Sequence, residues 1–81
     1  MMEFPEDIRF LALLHNIGAI SPERSLSIGE IAQWAGLDCW RVKEELLKLK
    51  SQRYINVHIN DDVEKYYLTI DGIRKVLSIY S

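Results

Sequence analysis

The stretch Leu26-Ser27-Ile28-Gly29-Glu30-Ile31-Ala32-Gln33-Trp34-Ala35-Gly36-Leu37-Asp38-Cys39-Trp40 (residues 26–40) carries two helix starts and, between them, one helix stop. Ser27 and Glu30 have the spacing of a capping box, in which a hydroxyl and a carboxyl satisfy the free amides of a helix's first turn. Leu26 and Ile31 stand as the hydrophobic staple around it. Ile28, Ile31, Ala32 and Ala35 then share one face of a short helix, and Gly36 supplies the turn that ends it. Asp38 caps the next helix, and Leu37 with Val42 repeats the staple spacing. Two capped helices joined by a tight glycine turn predict a helix-turn-helix.

Downstream, the third helix is expected from Cys39 to about Ser51. At 100° per residue Val42, Leu46 and Leu49 form its core face, and Trp40 and Leu47 fall opposite, among Lys43, Glu44 and Ser51. Tyr54–Asn60 alternates, with Ile55, Val57 and Ile59 on one side, as a strand does. Asn60-Asp61-Asp62 is turn chemistry, and Val63–Leu68 is the returning strand of a hairpin. Thr69 can cap a last helix with Ile70, Ile73, Val76, Leu77 and Tyr80 at helical spacing. Upstream, Pro5 at a first helical position, followed by Glu6 and Asp7, opens a helix that runs to Asn16 or Ile17 and stops at Gly18. Its apolar residues, Ile8, Phe10, Leu11, Ala12, Leu13, Leu14 and Ile17, are too many for one stripe. This helix is therefore central or meets a partner. The order helix, helix, helix, strand, strand, helix predicts an α+β fold, mainly α, with residues 1–81 as a single domain.

The chain has 81 residues, 48% of them hydrophobic and 27% charged, the profile of a soluble globular protein. The longest apolar stretch, Phe10–Leu14, is too short to span a bilayer, and Met1–Pro5 carries acid where a signal peptide carries base. A cytoplasmic address, with no membrane association, is expected. Cys39 is the only cysteine and His15 and His58 are far apart, so neither disulfide, metal nor cofactor is expected. No serine, cysteine or carboxylate stands in a recognisable catalytic setting, which argues against an enzyme. Cys39 begins a helix, where a thiol can serve as a redox sensor, but a small packing residue is the favoured reading. The net charge of −2 is unevenly spread: residues 1–40 carry −4, 41–60 carry +3 and 61–81 carry −1. The positive segment covers the third helix.

With these features in place, the chain resembles the winged-helix family of small archaeal and bacterial transcriptional regulators, of MarR, PadR and ArsR-like pattern. Leu26–Ile55 resembles the family's helix-turn-helix. Tyr66-Tyr67-Leu68-Thr69-Ile70-Asp71-Gly72 resembles its Tyr-x-Leu-Thr-x-x-Gly, where the second wing strand feeds the last helix. The resemblance implies a winged helix-turn-helix: a three-helix core, a two-stranded β-hairpin wing and a C-terminal helix. It also implies that the third helix enters the major groove of double-stranded DNA, that the wing touches backbone or minor groove, and that dimers form through the first and last helices. Three positions depart from the pattern. Glu44 stands where a basic or polar residue is usual, Arg53 replaces a glycine before the first strand, and the wing tip Asn60-Asp61-Asp62-Val63-Glu64 is acidic.

The candidate DNA-binding residues are Trp40, Arg41, Lys43, Glu44, Leu47, Lys48, Lys50 and Lys65. Arg41 and Lys43 occupy the first turns of the third helix, where side chains meet base edges or phosphates. Against that stands a solvated helix face. Lys48, Lys50 and Arg53 are as readily explained by the favourable placement of cations at a helix C-terminus. Trp40 has no stability reason to lie opposite the core, so it contacts DNA, anchors a protein interface, or folds back over Trp34 or the hairpin. Two functions follow: a sequence-specific DNA-binding regulator acting as a homodimer, or a winged-helix protein-interaction module using Trp40, Leu47 and the apolar faces of helices 1 and 4.

Overall fold

The computed structural model describes residues 5–79. Tyr80, expected on the last helical face, and most of Met1–Pro5 lie outside them. Helix α1 spans Glu6–Asn16. Pro5 is its N-cap in extended conformation rather than its first helical residue, with ψ of 153°, as a residue one place ahead of a helix adopts. Phe10, Leu11 and Leu14 are buried, and α1 touches both helices of the helix-turn-helix, the sheet and the last helix. That central position accounts for its wide apolar surface without a second chain.

A 3-10 turn at Pro22–Arg24 leads into strand β1 (Leu26–Ser27), helix α2 (Ile28–Ala35) and helix α3 (Cys39–Ser51). The capping box is complete: the Glu30 amide donates to Ser27 Oγ at 3.2 Å and the Ser27 amide to Glu30 Oε1 at 3.0 Å. Gly36 takes φ of +67° and closes α2, a left-handed conformation that favours glycine. Asp38 Oδ1 accepts the Arg41 amide at 2.9 Å and starts α3.

Strands β2 (Ile55–Asn60) and β3 (Val63–Leu68) form the hairpin, with Ile55 opposite Leu68 and Asn60 opposite Val63. Asp61 and Asp62 turn it with φ of 51° and 65°, the pair of left-handed residues that matches strand twist in a two-residue loop. The sheet has three strands, ordered β1-β3-β2, because Leu26 and Ser27 pair with Tyr66 and Lys65. The hairpin wing is two-stranded as expected, and β1 is an additional strand beside it. A two-residue strand shows no alternation, and Ser27 is already spoken for as a helix cap.

Helix α4 (Ile70–Ile79) is fastened to the start of β2. Thr69 Oγ1 accepts the Gly72 amide at 3.0 Å and donates to the Arg53 carbonyl at 2.7 Å, while the Thr69 amide donates to the Tyr54 carbonyl at 3.0 Å. A Cβ on Gly72 would stand 2.2 Å from that Tyr54 oxygen, so the Thr-x-x-Gly spacing joins a cap to a close backbone crossing. The expected apolar stripe of α4 divides. Val76 is buried and Ile73 half-buried, whereas Ile70 and Leu77 are 69% and 51% exposed. The core joins α1, α2, α3, the sheet and α4 through Leu11, Leu14, Ile31, Val42, Leu46, Leu49, Leu68 and Val76.

Candidate nucleic-acid interface

Because Val42, Leu46 and Leu49 turn inward, the opposite face of α3 is left to solvent, with Trp40 68% and Leu47 56% exposed. Trp34, on α2, is exposed as well; neither indole folds back into the core. Beside Leu47 an open groove of about 520 Å³ runs between α3, the start of α2 and the wing. Lys43, Leu47 and Lys50 line its α3 side, and Asp62, Glu64 and Tyr66 its wing side. Among the described residues Lys43 and Lys50 make no ion pair.

The other flank of α3 is different. The Arg41 guanidinium pairs with Glu6 of α1, and Lys48 Nζ lies 3.6 Å from Glu45 Oε1. The expected grouping of Arg41 with Lys43 is therefore split. Positions two apart on a helix do not share a face, and at 100° per residue these two point about 160° apart. Glu45 was missed as a site of interest. It is 3% exposed, with Oε2 lacking a hydrogen-bond partner among the described residues, and its place beside Val42 and Leu49 on the helical wheel was a readable signal. Glu44 is exposed on the outer side.

Lys65 does not join the groove. Alternation along β3 puts it on the face opposite Glu64 and Tyr66, where it stands across from His58. Its charge reaches the Glu30 carboxyl, which is held below its ordinary range chiefly by the Ser27 amide and to a lesser degree by Lys65. In the groove, the Tyr66 hydroxyl donates to Glu64 Oε2 at 3.0 Å. Burial, reinforced by that carboxylate, pushes the phenol up to about 12. The wing thus brings negative charge against the side of the groove facing Lys43 and Lys50.

Cys39 is exposed and free, not the packing residue that was favoured, because the first position of α3 faces solvent. His58 is exposed and His15 half-buried, its Nδ1 without a partner among the described residues. Among the described residues no group of three His, Cys, Asp or Glu could hold a metal ion, and no helix is long and apolar enough to cross a membrane. A second, smaller groove of about 250 Å³ lies between α1 and the α2–α3 turn, with Arg9, Phe10 and Leu37 among its walls.

No family model and no curated protein matches the sequence. Solved structures do match in shape. The DNA-binding TubR fragment from Clostridium botulinum superposes with a TM-score of 0.81 at 19% identity, over 98% of this chain and 99% of that one. MepR of S. aureus, in a MepR–DNA complex, gives 0.79 at 20% identity, over 96% of this chain and 57% of that one. A MarR-family transcriptional regulator from Silicibacter pomeroyi gives 0.72 at 18%, over 90% of this chain and 49% of its own. The chain thus spans about half the length of the latter two. At these identities what is shared is the architecture: α1 to α4 and the three-stranded sheet form the winged helix-turn-helix fold of the MarR-type regulators.

Proposed function

We propose that this chain is a sequence-specific DNA-binding transcriptional regulator and not an enzyme, working as one domain in the cytoplasm and placing α3 in the major groove as a homodimer. The observation that carries the reading is the outward face of α3. Trp40, Lys43, Leu47 and Lys50 project from the helix that a winged fold presents to DNA, and the two lysines carry no ion pair among the described residues. The presence of DNA in the MepR structure supports it. Phosphate contacts position such a helix and base contacts specify, so Lys43 and Lys50 hold the backbone while Trp40 and Leu47 lie against base edges or thymine methyls. Arg41 and Lys48, paired with carboxylates, and Lys65, on the far face of the wing, contribute less.

The test is fluorescence anisotropy of a random-sequence duplex titrated with protein over a series of salt concentrations. The expected slope of log K against log salt is about −0.9 per phosphate neutralised, and the Lys43→Ala, Lys50→Ala double variant should lose about two such contacts. A flat salt response overturns the reading. One observation favours a second reading: Trp40 and Leu47 are exposed apolar side chains on one face of α3, and Leu47 lines the groove that Asp62 and Glu64 border. A protein partner seated there would be weakened by Trp40→Ala and indifferent to Lys50→Ala.

A further inference from the structure

Arg41 is the third residue of α3, in the turn started by Asp38. On the DNA-binding reading this turn lies nearest the groove of the duplex. Its guanidinium is nevertheless engaged by the carboxylate of Glu6, the first residue of α1, and not by solvent alone. Both side chains stay open to water, at 40% and 46% exposure. Glu6 has its own reason to be charged at that place, since the first turn of a helix favours an anion. A carboxylate and a phosphate offer a guanidinium the same pair of oxygens, so they are alternative partners for one fork.

We propose that Glu6 is an internal competitor for Arg41: it holds the guanidinium against α1, and DNA phosphate must displace it to recruit this third cation of α3. The inference rests on the DNA-binding reading and adds a positioning residue on a different helix, far from α3 in sequence. An exposed pair of this kind biases an equilibrium by a few-fold and does not block it. While the pair is closed, Arg41 and Glu6 present no net charge to DNA; once it opens, Arg41 adds a cation on the flank of α3 away from Lys43 and Lys50.

The experiment uses the full chain as wild type, Glu6→Gln, Arg41→Ala and the double variant, titrated into the same random-sequence duplex across a salt series. Glu23→Gln, an exposed carboxylate in the 3-10 turn, controls for the loss of one negative charge. Glu6→Gln is expected to bind about two- to five-fold more tightly at low salt, with the salt slope steeper by a fraction of the roughly 0.9 that one full phosphate contact contributes. Both gains should vanish in the Arg41→Ala background, beyond the small change seen with Glu23→Gln. The slope counts phosphates and would not move if Glu6 served only to brace α1. If Glu6→Gln matches wild type, or gains equally without Arg41, the competitor is overturned while DNA binding stands. If neither wild type nor Glu6→Gln shows salt-dependent binding, the DNA-binding reading falls and this inference falls with it.

Discussion

Gly72 decides whether the last helix can start where it does. A methyl group there would sit 2.2 Å from the Tyr54 carbonyl oxygen, which is backbone and already accepts the Thr69 amide at 3.0 Å. Gly72→Ala must therefore displace either the start of β2 or the first turn of α4, at a cost of about 1–3 kcal/mol or more. In a domain of this size that corresponds to a fall in Tm of about 4–8 °C per kcal/mol, read by thermal unfolding. Gly29→Ala is the contrast. Its new Cβ would meet only Ser27 Oγ at 4.0 Å, inside α2, so alanine's helix preference should raise stability by up to about 1 kcal/mol. Equal losses from both substitutions would refute the close-crossing account. Arg53, by comparison, shows a residue tolerated where glycine is usual: it adopts φ of +67°, and its carbonyl is held by the Thr69 hydroxyl.

At the scale of elements, the capping box makes a prediction with a definite pH sign. Ser27→Ala removes the acceptor for the Glu30 amide and should cost about 1 kcal/mol. The Glu30 carboxyl is held below its ordinary 4.5, chiefly by the Ser27 amide. A lowered folded-state pKa means that the ionised form stabilises the fold above the ordinary value, and that this contribution is lost as pH falls through the lowered one. Wild type should thus exceed Glu30→Gln in stability at pH 7, with the gap closing below about pH 4.5. A gap that widens on acidification would contradict the assignment. These caps were also what made α2 and α3 legible in the sequence, because a cap is a local chemical pattern that needs no knowledge of the rest of the chain. The hairpin was legible for the same reason. Strand β1 was not, since its two residues gain strand character only by meeting Tyr66 and Lys65. The site divides along the same line: helical angle alone exposes Trp40, Lys43 and Leu47, but that Arg41 meets Glu6 depends on how α1 crosses α3. The position of Lys65 away from the groove follows from strand alternation, which sets it on the face opposite Glu64 and Tyr66.

For the whole molecule the question is what remains apolar once the fold is closed. Helix α1, whose excess of apolar residues first suggested a partner, spends that surface inside the chain on Phe10, Leu11 and Leu14. The candidate surface for a homodimer is therefore α4, where Ile70 and Leu77 lie two turns apart and stay exposed while Val76 is buried. Two such stripes packed against each other would make an interface in which the same patch serves both copies, as two-fold symmetry requires. Sedimentation of the 9.5 kDa chain at micromolar concentration should then give roughly twice that mass, and Ile70→Lys with Leu77→Lys should return it to the monomer. Since both positions face solvent, the substitutions should leave the unfolding temperature of the monomer close to that of wild type, which separates a lost interface from a lost fold. The DNA response follows from the same geometry. A dimer places its two α3 helices in successive major grooves, about 34 Å apart, and engages twice the phosphates of a monomer. The charged variant should bind with about half the salt slope of wild type. A wild-type chain that sediments as a monomer and yet binds DNA would keep α3 as the reading helix and assign Ile70 and Leu77 no part in it.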